Sequence, residues 1–519
     1  MDPIGFFAIA QSRPDDLAVV DRHRTLTWAE FDGRVNQLGR LLQGAGLRPG
    51  DHMAMVMSNR AEFAEVLGAC IKTGIKVTPV NWHFTADEAT YVIEDCGAKA
   101  LIVDEAYVDL GLPAAEATAF GLALITGTTP SGPFQSYEQA LLEVPAAPLP
   151  VDGPAGAFML YTSGTTGRPK GVERDMAGAG ATPESLVGGM TLLGGALGVQ
   201  PGGAHLVTGP LYHAAPLGFS TMAFNLGATL VLMDRWTPET CLDLLEKHQI
   251  TSTHLVPTMF IRLLRLSSEA RSAFDPSHLQ CVLHGAAPCP PWAKQAMIDW
   301  WGPVITEYYG ATEGGITVIG AEEWLARPGS VGRPLPVYTA HARDDDGQVL
   351  PAGETGTIYF TSLLGTETFR YHNDAEKTAA AHAEPGVFTL GDIGHVDGDG
   401  YVWLTDRKND LIISGGVNIY PAEIEQVLSS HPAVADVGVF GIPNDEWGEE
   451  VKAAVELLPG HEPTAVLAEE LIRHCREHLA AYKVPRSVDF EDELPRHPTG
   501  KLYKRLLRDR YWAGTGRTI

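Results

Sequence analysis

The most informative stretch of this sequence is Tyr161-Thr-Ser-Gly-Thr-Thr-Gly-Arg-Pro-Lys170-Gly171. It follows an apolar run from Ala157 to Leu160, so we expect a loop at the end of a strand. Gly164 and Gly167 let the backbone turn its N–H groups toward an anion, the Ser and Thr hydroxyls add donors, and Lys170 adds a positive charge. The stretch therefore predicts a phosphate-binding loop. It lacks the G-x-x-x-x-G-K-[ST] spacing of a Walker A loop, and no G-x-G-x-x-G follows a predicted strand, so neither a P-loop NTPase nor a dinucleotide-binding fold is indicated.

The composition is typical of a globular protein with two or three domains. The chain has 519 residues, of which 45% are hydrophobic and 20% charged. Its 64 acidic and 38 basic residues give a net charge of −26, which repels a nucleic-acid backbone and argues against nucleic acid as a partner. The six cysteines are scattered, and no Cys or His set with zinc-site spacing is evident. With no secretory signal and no apolar run of about 20 residues, we expect a cytoplasmic protein without a membrane span.

The hydrophobic pattern predicts an α/β fold. A helix is expected from Thr27 to Gly44, a buried strand from His52 to Met57, a helix opened by the capping-box spacing Thr85-Ala-Asp-Glu88, and a strand from Ala100 to Asp104. This alternation favours a large N-terminal domain, residues 1–405, built from parallel sheets packed with helices. Short strands with polar turns from Ser330 to Phe360 predict a small β-barrel-like subdomain within it.

The pattern changes after Asp406. A short strand, a helix starting near Pro421, two strands and a helix from about Thr464 to Leu479 predict a small α+β domain over residues 411–519, with a hinge at 406–410. In the middle of the chain, the Gly- and Ala-rich segments from Ala177 to Gly198 and around His213 permit close helix packing, and they also leave room for a large ligand.

Further motifs follow the phosphate-binding loop in a fixed order. They are Tyr212-His213, Gly285-Ala-Ala-Pro288, Tyr309-Gly-Ala-Thr-Glu313, Gly391-Asp392, Asp406-Arg407, Ser414-Gly-Gly-Val-Asn-Ile-Tyr-Pro421 and Pro498-Thr-Gly-Lys501. The set resembles the adenylate-forming superfamily, which includes acyl-CoA synthetases, aryl-CoA ligases, luciferases and peptide-synthetase adenylation domains. The resemblance covers nearly the whole chain. It implies an AMP-forming acid–thiol ligase that uses ATP, Mg²⁺ and coenzyme A, with a mobile C-terminal lid domain.

The resemblance also implies roles for individual residues in nucleotide binding. Thr312 would contact the α-phosphate, Glu313 would ligate Mg²⁺, Asp392 would accept the ribose hydroxyls, Arg407 would add a donor there, and Lys501 would bridge the substrate carboxylate and the α-phosphate. The β- and γ-phosphates would be held by Thr162, Ser163, Gly164, Thr165, Thr166, Gly167 and Lys170. The adenine slot would be lined by Gly285, Ala286, Ala287, Tyr309, Gly310 and Ala311. Gly391-Asp392 is also a common turn pair, but we favour the ribose-binding interpretation, and Lys501 taken alone is one of several cations in a basic tail.

The second half-reaction needs a thiol and a moving lid. By resemblance, Gly415 and Gly416 would let pantetheine pass close to the backbone, and the hinge position matches Asn409, where relatives usually carry Asp or Lys. Trp447 would stack on the CoA adenine, although a packing role is equally consistent with the sequence. Lys483 and Arg486 would meet the CoA phosphates. His213 would be the aromatic gate between the acid pocket and the thiol tunnel, or else a histidine satisfied by local hydrogen bonds.

The acid itself is expected to be apolar. The segment Ala214-Ala-Pro-Leu-Gly-Phe219 is small and apolar, and Ala214 stands where peptide-synthetase domains carry an Asp for the substrate ammonium, which would otherwise be unpaired at a cost of about several kcal/mol. A medium- or long-chain fatty acid or a bulky ring-containing acid is therefore favoured. The alternatives are an acyl-adenylate ligase that loads a carrier protein, a luciferase-like oxidase, and a non-catalytic nucleotide-binding relative. The sequence does not distinguish a monomer from a homodimer.

Overall fold

The computed structural model describes residues 5–127, 130, 132–162, 169–174, 180–363, 368–407, 410–414, 417–444, 446–496 and 500–512, without the side chains of residues 406 and 407. The N-terminal third alternates helices and strands. Its elements are α1 (Phe6–Ser12), β1 (Leu17–Val20), β2 (Thr25–Thr27), α2 (Trp28–Gly44), β3 (His52–Val56), α3 (Ala61–Thr73), β4 (Lys76–Pro79), α4 (Ala86–Asp95), β5 (Ala98–Asp104), α5 (Val108–Ala117), β6 (Leu122–Thr126), β7 (Gln135–Ser136) and α6 (Tyr137–Leu142).

The middle of the chain continues this alternation. Its elements are β8 (Leu160–Thr162), β9 (Lys170–Arg174), α7 (Pro183–Leu197), β10 (Ala204–Val207), α8 (Ala214–Asn225), β11 (Thr229–Leu232), α9 (Pro238–Lys247), β12 (Ser252–Leu255), α10 (Pro257–Leu264), α11 (Ser268–Ala273), β13 (Cys281–His284), α12 (Pro291–Trp301) and β14 (Ile305–Ala311).

Strands dominate the next hundred residues, and a small α+β unit follows them. The elements are β15 (Gly314–Gly320), α13 (Ala321–Ala326), β16 (Ser330–Pro334), β17 (Tyr338–Arg343), β18 (Gly356–Ser362), β19 (Phe369–Tyr371), α14 (Ala375–Ala381), β20 (His382–Glu384), β21 (Val387–Val396), β22 (Val402–Arg407), β23 (Ile412–Ser414), β24 (Val417–Ile419), α15 (Pro421–Ser429), β25 (Val434–Asn444), β26 (Gly448–Leu457), α16 (Ala465–His478), β27 (Ser487–Glu491) and α17 (Lys504–Trp512).

Local sequence explains where the predicted helices begin. Thr27 accepts the N–H of Glu30 at 3.3 Å while the Glu30 carboxylate accepts the N–H of Thr27 at 2.8 Å, and Thr85 and Glu88 make the same reciprocal pair before α4. Each box satisfies donors that a helix start leaves without intrahelical partners. The helices and strands predicted near both boxes are confirmed.

The sheets confirm the predicted α/β class. Strands β4-β3-β5-β6-β7 form a parallel sheet between α-helices, as expected for the first part of the chain. A larger mixed sheet runs β17-β18-β21-β22-β16-β15-β14-β13-β12-β10-β11-β1-β2. Its section from β1 and β11 to β14 is parallel, and the antiparallel strands predicted from Ser330 onward form its other end.

The small C-terminal unit has its own sheet and core. Strands β24-β23-β26-β25 pair antiparallel, β27 adds parallel to β26, and α15 and α16 pack on them through Ile424, Leu428 and Leu471. No helix within the described ranges is long and apolar enough to cross a bilayer.

Candidate active site

A cavity of about 920 Å³ opens beyond the carboxyl ends of the parallel strands β10, β12, β13 and β14. Open α/β sheets usually bind ligands at this edge, because the loops after successive strands converge there. The charged side chains among the described lining residues are Arg174, Glu313, Lys377 and Lys501. The sequence motifs had placed Glu313 and Lys501 in one site, and the structure brings both to this cavity.

The phosphate-binding loop begins and ends on a pair of antiparallel strands. Thr162, the last residue of β8, pairs with Lys170, the first residue of β9. Thr162 lines the cavity, and the Lys170 ammonium contacts the Asp374 carboxylate at 3.3 Å. The loop residues predicted to grip phosphate, Ser163, Gly164, Thr165, Thr166 and Gly167, lie outside the described residues.

A second lysine, which the sequence analysis did not single out, stands beside Lys170. Lys377 lies in the first turn of α14, where Asp374 caps the helix by accepting the Lys377 N–H at 3.0 Å. Its ammonium lies 4.8 Å from the centroid of the Tyr371 ring and lines the cavity. Burial and then the neighbouring Lys170 ammonium lower the pKa of Lys377 to about 8, against the opposing effect of Asp374 and Glu313. The Lys377 ammonium in the cavity wall and the adjacent Lys170 ammonium together form a natural site for a polyanion.

Glu313 occupies the turn between β14 and β15 and is oriented by a tyrosine. The Tyr371 hydroxyl donates to Glu313 Oε1 at 3.0 Å and so orients the carboxylate. Burial and then the charge of Glu313 raise the pKa of Tyr371, so this hydroxyl stays a donor. Carboxylate and phosphate oxygens are what Mg²⁺ prefers, so the residues at this turn fit the metal implied by the motifs. Thr312 lines the same wall.

In the predicted adenine slot, the backbone after β13 passes close to the backbone of β14. A Cβ on Gly285 would come within 2.4 Å of the Tyr308 carbonyl oxygen, so only glycine fits after β13. Ala286 follows with φ of +66°, a left-handed conformation that non-glycine residues seldom adopt outside functional turns. Ala286, together with Gly310 and Ala311, lines the cavity. Gly285 and Ala287 lie next to this lining.

Asp392 is buried behind the cavity wall and is hydrogen-bonded to Tyr309, which the motifs place in the same site. It is 5% exposed and accepts a hydrogen bond from the Tyr309 hydroxyl, while Gly391 beside it lines the cavity. Strand pairing of β21 with β22 sets Asp392 opposite Arg407, whose side chain is outside the described set. The geometry thus brings Tyr309, Asp392 and the backbone of Arg407 to one place.

Lys501 reaches the cavity from the small C-terminal unit, and the preceding glycine determines how closely its loop packs. Gly500 has φ of +81°, and a Cβ there would lie 3.0 Å from Thr258 Oγ1 and 3.2 Å from Val256 Cγ2. The Gly500 carbonyl oxygen accepts from Arg496, which also pairs with Asp436 on β25. The lysine is therefore carried on a loop braced by its own domain and seated on the large one.

A second contact joins the two units. Arg265, which ends α10, donates to the Val434 carbonyl at 2.6 Å and to the Ala435 carbonyl at 2.9 Å. These bonds hold the start of β25 against the large domain. Sequence reasoning missed Arg265, because no local pattern distinguishes it from a surface arginine.

The residues expected to contact coenzyme A are on the small unit, away from the cavity lining. Trp447 is 46% exposed, and Arg486 is exposed. Lys483 is paired with the Glu423 carboxylate at 2.6 and 2.7 Å, and this pairing outweighs burial to raise its pKa. The predicted pantetheine glycines, Gly415 and Gly416, and the hinge residue Asn409 lie outside the described residues.

The rest of the cavity is mainly apolar and deeper than the sequence segments had indicated. Ala214, Ala215, Gly218 and Phe219 line it as expected, whereas Leu217 faces away and is fully buried in the core. The added depth comes from α3 and α7, through Leu67, Cys70, Ile71, Leu186, Met190 and Leu193. Within the Gly- and Ala-rich segment, the small residues that line the cavity are Gly180 and Ala181, just before α7, whereas α7 itself contributes large apolar side chains.

A pair of polar side chains lies in the mainly apolar part of the cavity wall. His254 Nε2 and the Tyr308 hydroxyl are 3.0 Å apart. His213, at the N-cap of α8, packs its ring 4.1 Å from that of Tyr212. Burial lowers the pKa of His254 to about 3, so the His254 side chain carries no charge at neutral pH.

The fold and the cavity describe an α/β protein of the ligand-binding-cleft type, in which a small second unit contributes Lys501 to the cavity of the large one. The chain belongs to the AMP-binding enzyme family: residues 6–366 match the family "AMP-binding enzyme", and residues 423–501 match "AMP-binding enzyme C-terminal domain". The superfamily recognised from the motifs is confirmed.

Relatives match over almost the whole chain. The fatty acid–[acyl-carrier-protein] ligase ScoC of Streptomyces coeruleorubidus is 32% identical, covering 98% of this chain and 96% of that protein. A feruloyl-CoA synthase of an Amycolatopsis species is 33% identical, covering 98% and 99%. The solved structure of o-succinylbenzoate CoA synthetase from Bacillus subtilis, in complex with its acyl-adenylate intermediate, superposes with a TM-score of 0.81 at 29% identity, covering 98% of each chain.

Proposed function

We propose that this AMP-forming acid–thiol ligase activates an apolar carboxylic acid with ATP and transfers the acyl group to coenzyme A. One observation carries the proposal: Lys377, Glu313 and Lys501 line the same cavity as the apolar side chains of α3, α7 and α8. The carboxylate would meet the nucleotide at the charged residues while its hydrocarbon part extends between α3, α7 and α8.

Adenylation joins two anions, so the protein must neutralise charge at the point of attack. A carboxylate oxygen attacks the α-phosphorus, the bond to the β-phosphate oxygen breaks, and pyrophosphate leaves with that electron pair. Lys501 would stabilise the carboxylate and α-phosphate together, Thr312 would donate to the α-phosphate, and Lys170 and Lys377 would hold the β- and γ-phosphates. Glu313 would hold Mg²⁺, which when bound neutralises phosphate charge. Asp392 would orient the ribose.

Thioester formation requires the lid, residues 411–519, to turn about the 406–410 hinge. The thiol of coenzyme A would attack the acyl carbonyl carbon, and AMP would leave. For this step the contacts of Gly500 and Arg265 with the opposite domain would break. Gly415 and Gly416 would pass the pantetheine arm with His213 as its gate, and Trp447, Lys483 and Arg486 would receive the nucleotide end of CoA, once Lys483 releases Glu423.

We propose a medium- or long-chain fatty acid, or a bulky ring-containing acid, as the substrate. The only carboxylate among the described lining residues is Glu313, which faces the phosphate-binding residues, so a substrate ammonium would find no partner beside Ala214. Leaving that charge unpaired costs about several kcal/mol, enough to exclude amino acids. The free cysteines, of which all but Cys289 are buried, suit a reducing cytoplasm.

The test is a panel of acids scored for ATP-dependent pyrophosphate release, with and without coenzyme A. Fatty and ring-containing acids should release pyrophosphate, and CoA should then release AMP. If AMP is released only when a carrier protein is added, and not when CoA is added, the chain is a ligase that loads a carrier protein. That is the activity in the name of the ScoC relative. If no acid of any class supports pyrophosphate release, the chain is a non-catalytic nucleotide binder and the proposal is wrong.

A further inference from the structure

A cluster of metal-ligating side chains lies on the last turn of α16, away from the cavity. His474, Glu477 and His478 stand at positions i, i+3 and i+4 of one helix, and one ligand atom from each lies within 4.8 Å of the others. Residues with this spacing share a helix face. Sequence reasoning missed the set because it consists of a single short run, His474-Cys-Arg-Glu-His478, without a second pair elsewhere.

Backbone hydrogen bonds determine which ring nitrogen of each histidine is free to ligate. His474 Nε2 lies 3.2 Å from the Val427 carbonyl oxygen, which can only accept, so Nε2 carries the proton and Nδ1 keeps its lone pair. His478 Nδ1 lies 2.8 Å from the His474 carbonyl oxygen, so by the same reasoning its Nε2 keeps the lone pair. Orientation of a histidine through its second nitrogen, usually by a carbonyl or carboxylate, is a regular feature of metal sites.

The surroundings also favour a cation here. The set occupies the C-terminal turn of α16, where the helix dipole places partial negative charge.

We propose that His474, Glu477 and His478 form a binding site for a divalent transition-metal ion of the zinc class, with water completing its coordination. Two imidazoles and one carboxylate are a common ligand set for Zn²⁺ with an open position. The bound ion staples the last turn of α16, just before the segment that carries Lys483. This site is independent of the nucleotide cavity and does not rest on the proposed reaction.

The experiment is calorimetric titration of the full-length, metal-stripped chain with Zn²⁺, and separately with Ni²⁺. We expect one equivalent to bind, with affinity at least about tenfold lower in His474→Ala and in His478→Ala, as for loss of a coordinating group. The matched control is His461→Ala, an exposed histidine on the same unit, which should bind metal like the wild type. Thermal melting should rise with Zn²⁺ in the wild type and the control but not in the two site variants.

Three outcomes would overturn the proposal. They are no binding at any Zn²⁺ concentration below millimolar, binding that persists unchanged in the His474→Ala, His478→Ala double variant, or equal loss in His461→Ala. Melting temperatures measured without metal show whether each variant is still folded. Glu477→Gln keeps the shape of the side chain but removes its charge, so its Zn²⁺ affinity tests the carboxylate independently of the histidines. Unchanged affinity in Glu477→Gln would exclude the carboxylate as a ligand and contradict the site as drawn.

Discussion

Replacing Lys377 by Met separates the effect of the side chain's charge from the effect of its size. The side chain keeps its length and apolar stem but loses its charge. Lys377 lines the cavity beside Lys170, the residue that ends the predicted phosphate-binding loop, so its ammonium should contact a phosphate beyond the α-position. A hydrogen bond to a charged partner contributes about 1.5–3 kcal/mol, which corresponds to roughly 10- to 150-fold in affinity.

The assay compares ATP with AMP. In Lys377→Met, kcat/KM for ATP in pyrophosphate exchange should fall within that range, while binding of AMP, which lacks the outer phosphates, should stay near wild type. Lys377→Arg should retain most of the activity, and Lys247→Met, at an exposed lysine on α9, is the matched control. Equal losses for ATP and AMP would refute the assignment, since they would indicate a general disturbance of the cavity.

The pH dependence of activity and stability is a second test of the Lys377→Met variant. Because the pKa of Lys377 in the folded protein is about 8 rather than 10.5, its ammonium is charged below pH 8 and neutral above it. The advantage of wild type over Lys377→Met in kcat/KM for ATP should therefore shrink as the pH rises from 7 to 9. The unfolded chain binds this proton more tightly between pH 8 and 10.5, so the free energy of unfolding of the wild type, relative to that of Lys377→Met, should increase across that window. A wild-type advantage that is independent of pH would contradict this account.

Three further variants test how Lys501 is positioned. Lys501→Ala should slow pyrophosphate exchange by roughly 10²–10³ while thioester formation from supplied acyl-adenylate stays near wild type; equal losses in both would contradict its role. Gly500→Ala, which forces a Cβ to 3.0 Å from Thr258 Oγ1 at φ of +81°, should slow exchange at least about tenfold without that loss in the second step. Arg265→Met removes two hydrogen bonds to the small domain and should slow exchange by about tenfold, with the supplied adenylate again consumed normally; a change in the second step alone would show the contact to be irrelevant to adenylation.

Local chemistry explains which parts of the fold were predictable. The capping boxes at Thr27 and Thr85 act within one turn of helix, so their residues suffice to predict where α2 and α4 begin. The motif was enough to place Gly285 in the site. The physical reason for glycine there is visible only in the folded structure, where a Cβ would lie 2.4 Å from the Tyr308 carbonyl oxygen.

The unpredicted parts of the site depend on contacts between distant segments. The local sequence around Lys377 is typical of a solvent-exposed helix face. The proposed role of Lys377 depends on its contact with Lys170, which is more than two hundred residues earlier in the chain. Arg265 contacts the backbone carbonyls of β25, and the cavity is deep because α3, from the first hundred residues, and α7 line the same space. No periodicity or spacing along the chain contains these pairings.

The distribution of cations along the chain accounts for the order of the proposed reaction. A protein of net charge −26 does not attract a triphosphate over long distances, and beyond about 8 Å its field is screened, so binding depends on the few cations inside the cavity. Lys170 and Lys377 belong to the large domain, whereas Lys501 is carried by the small domain, where Gly500 and Arg265 contact the large one. In the proposed mechanism, the lysine needed for adenylation is carried by the domain that turns to admit the thiol. The turn that admits the thiol would therefore also withdraw Lys501, so the same displacement would disfavour both premature thiol attack and reversal of adenylation.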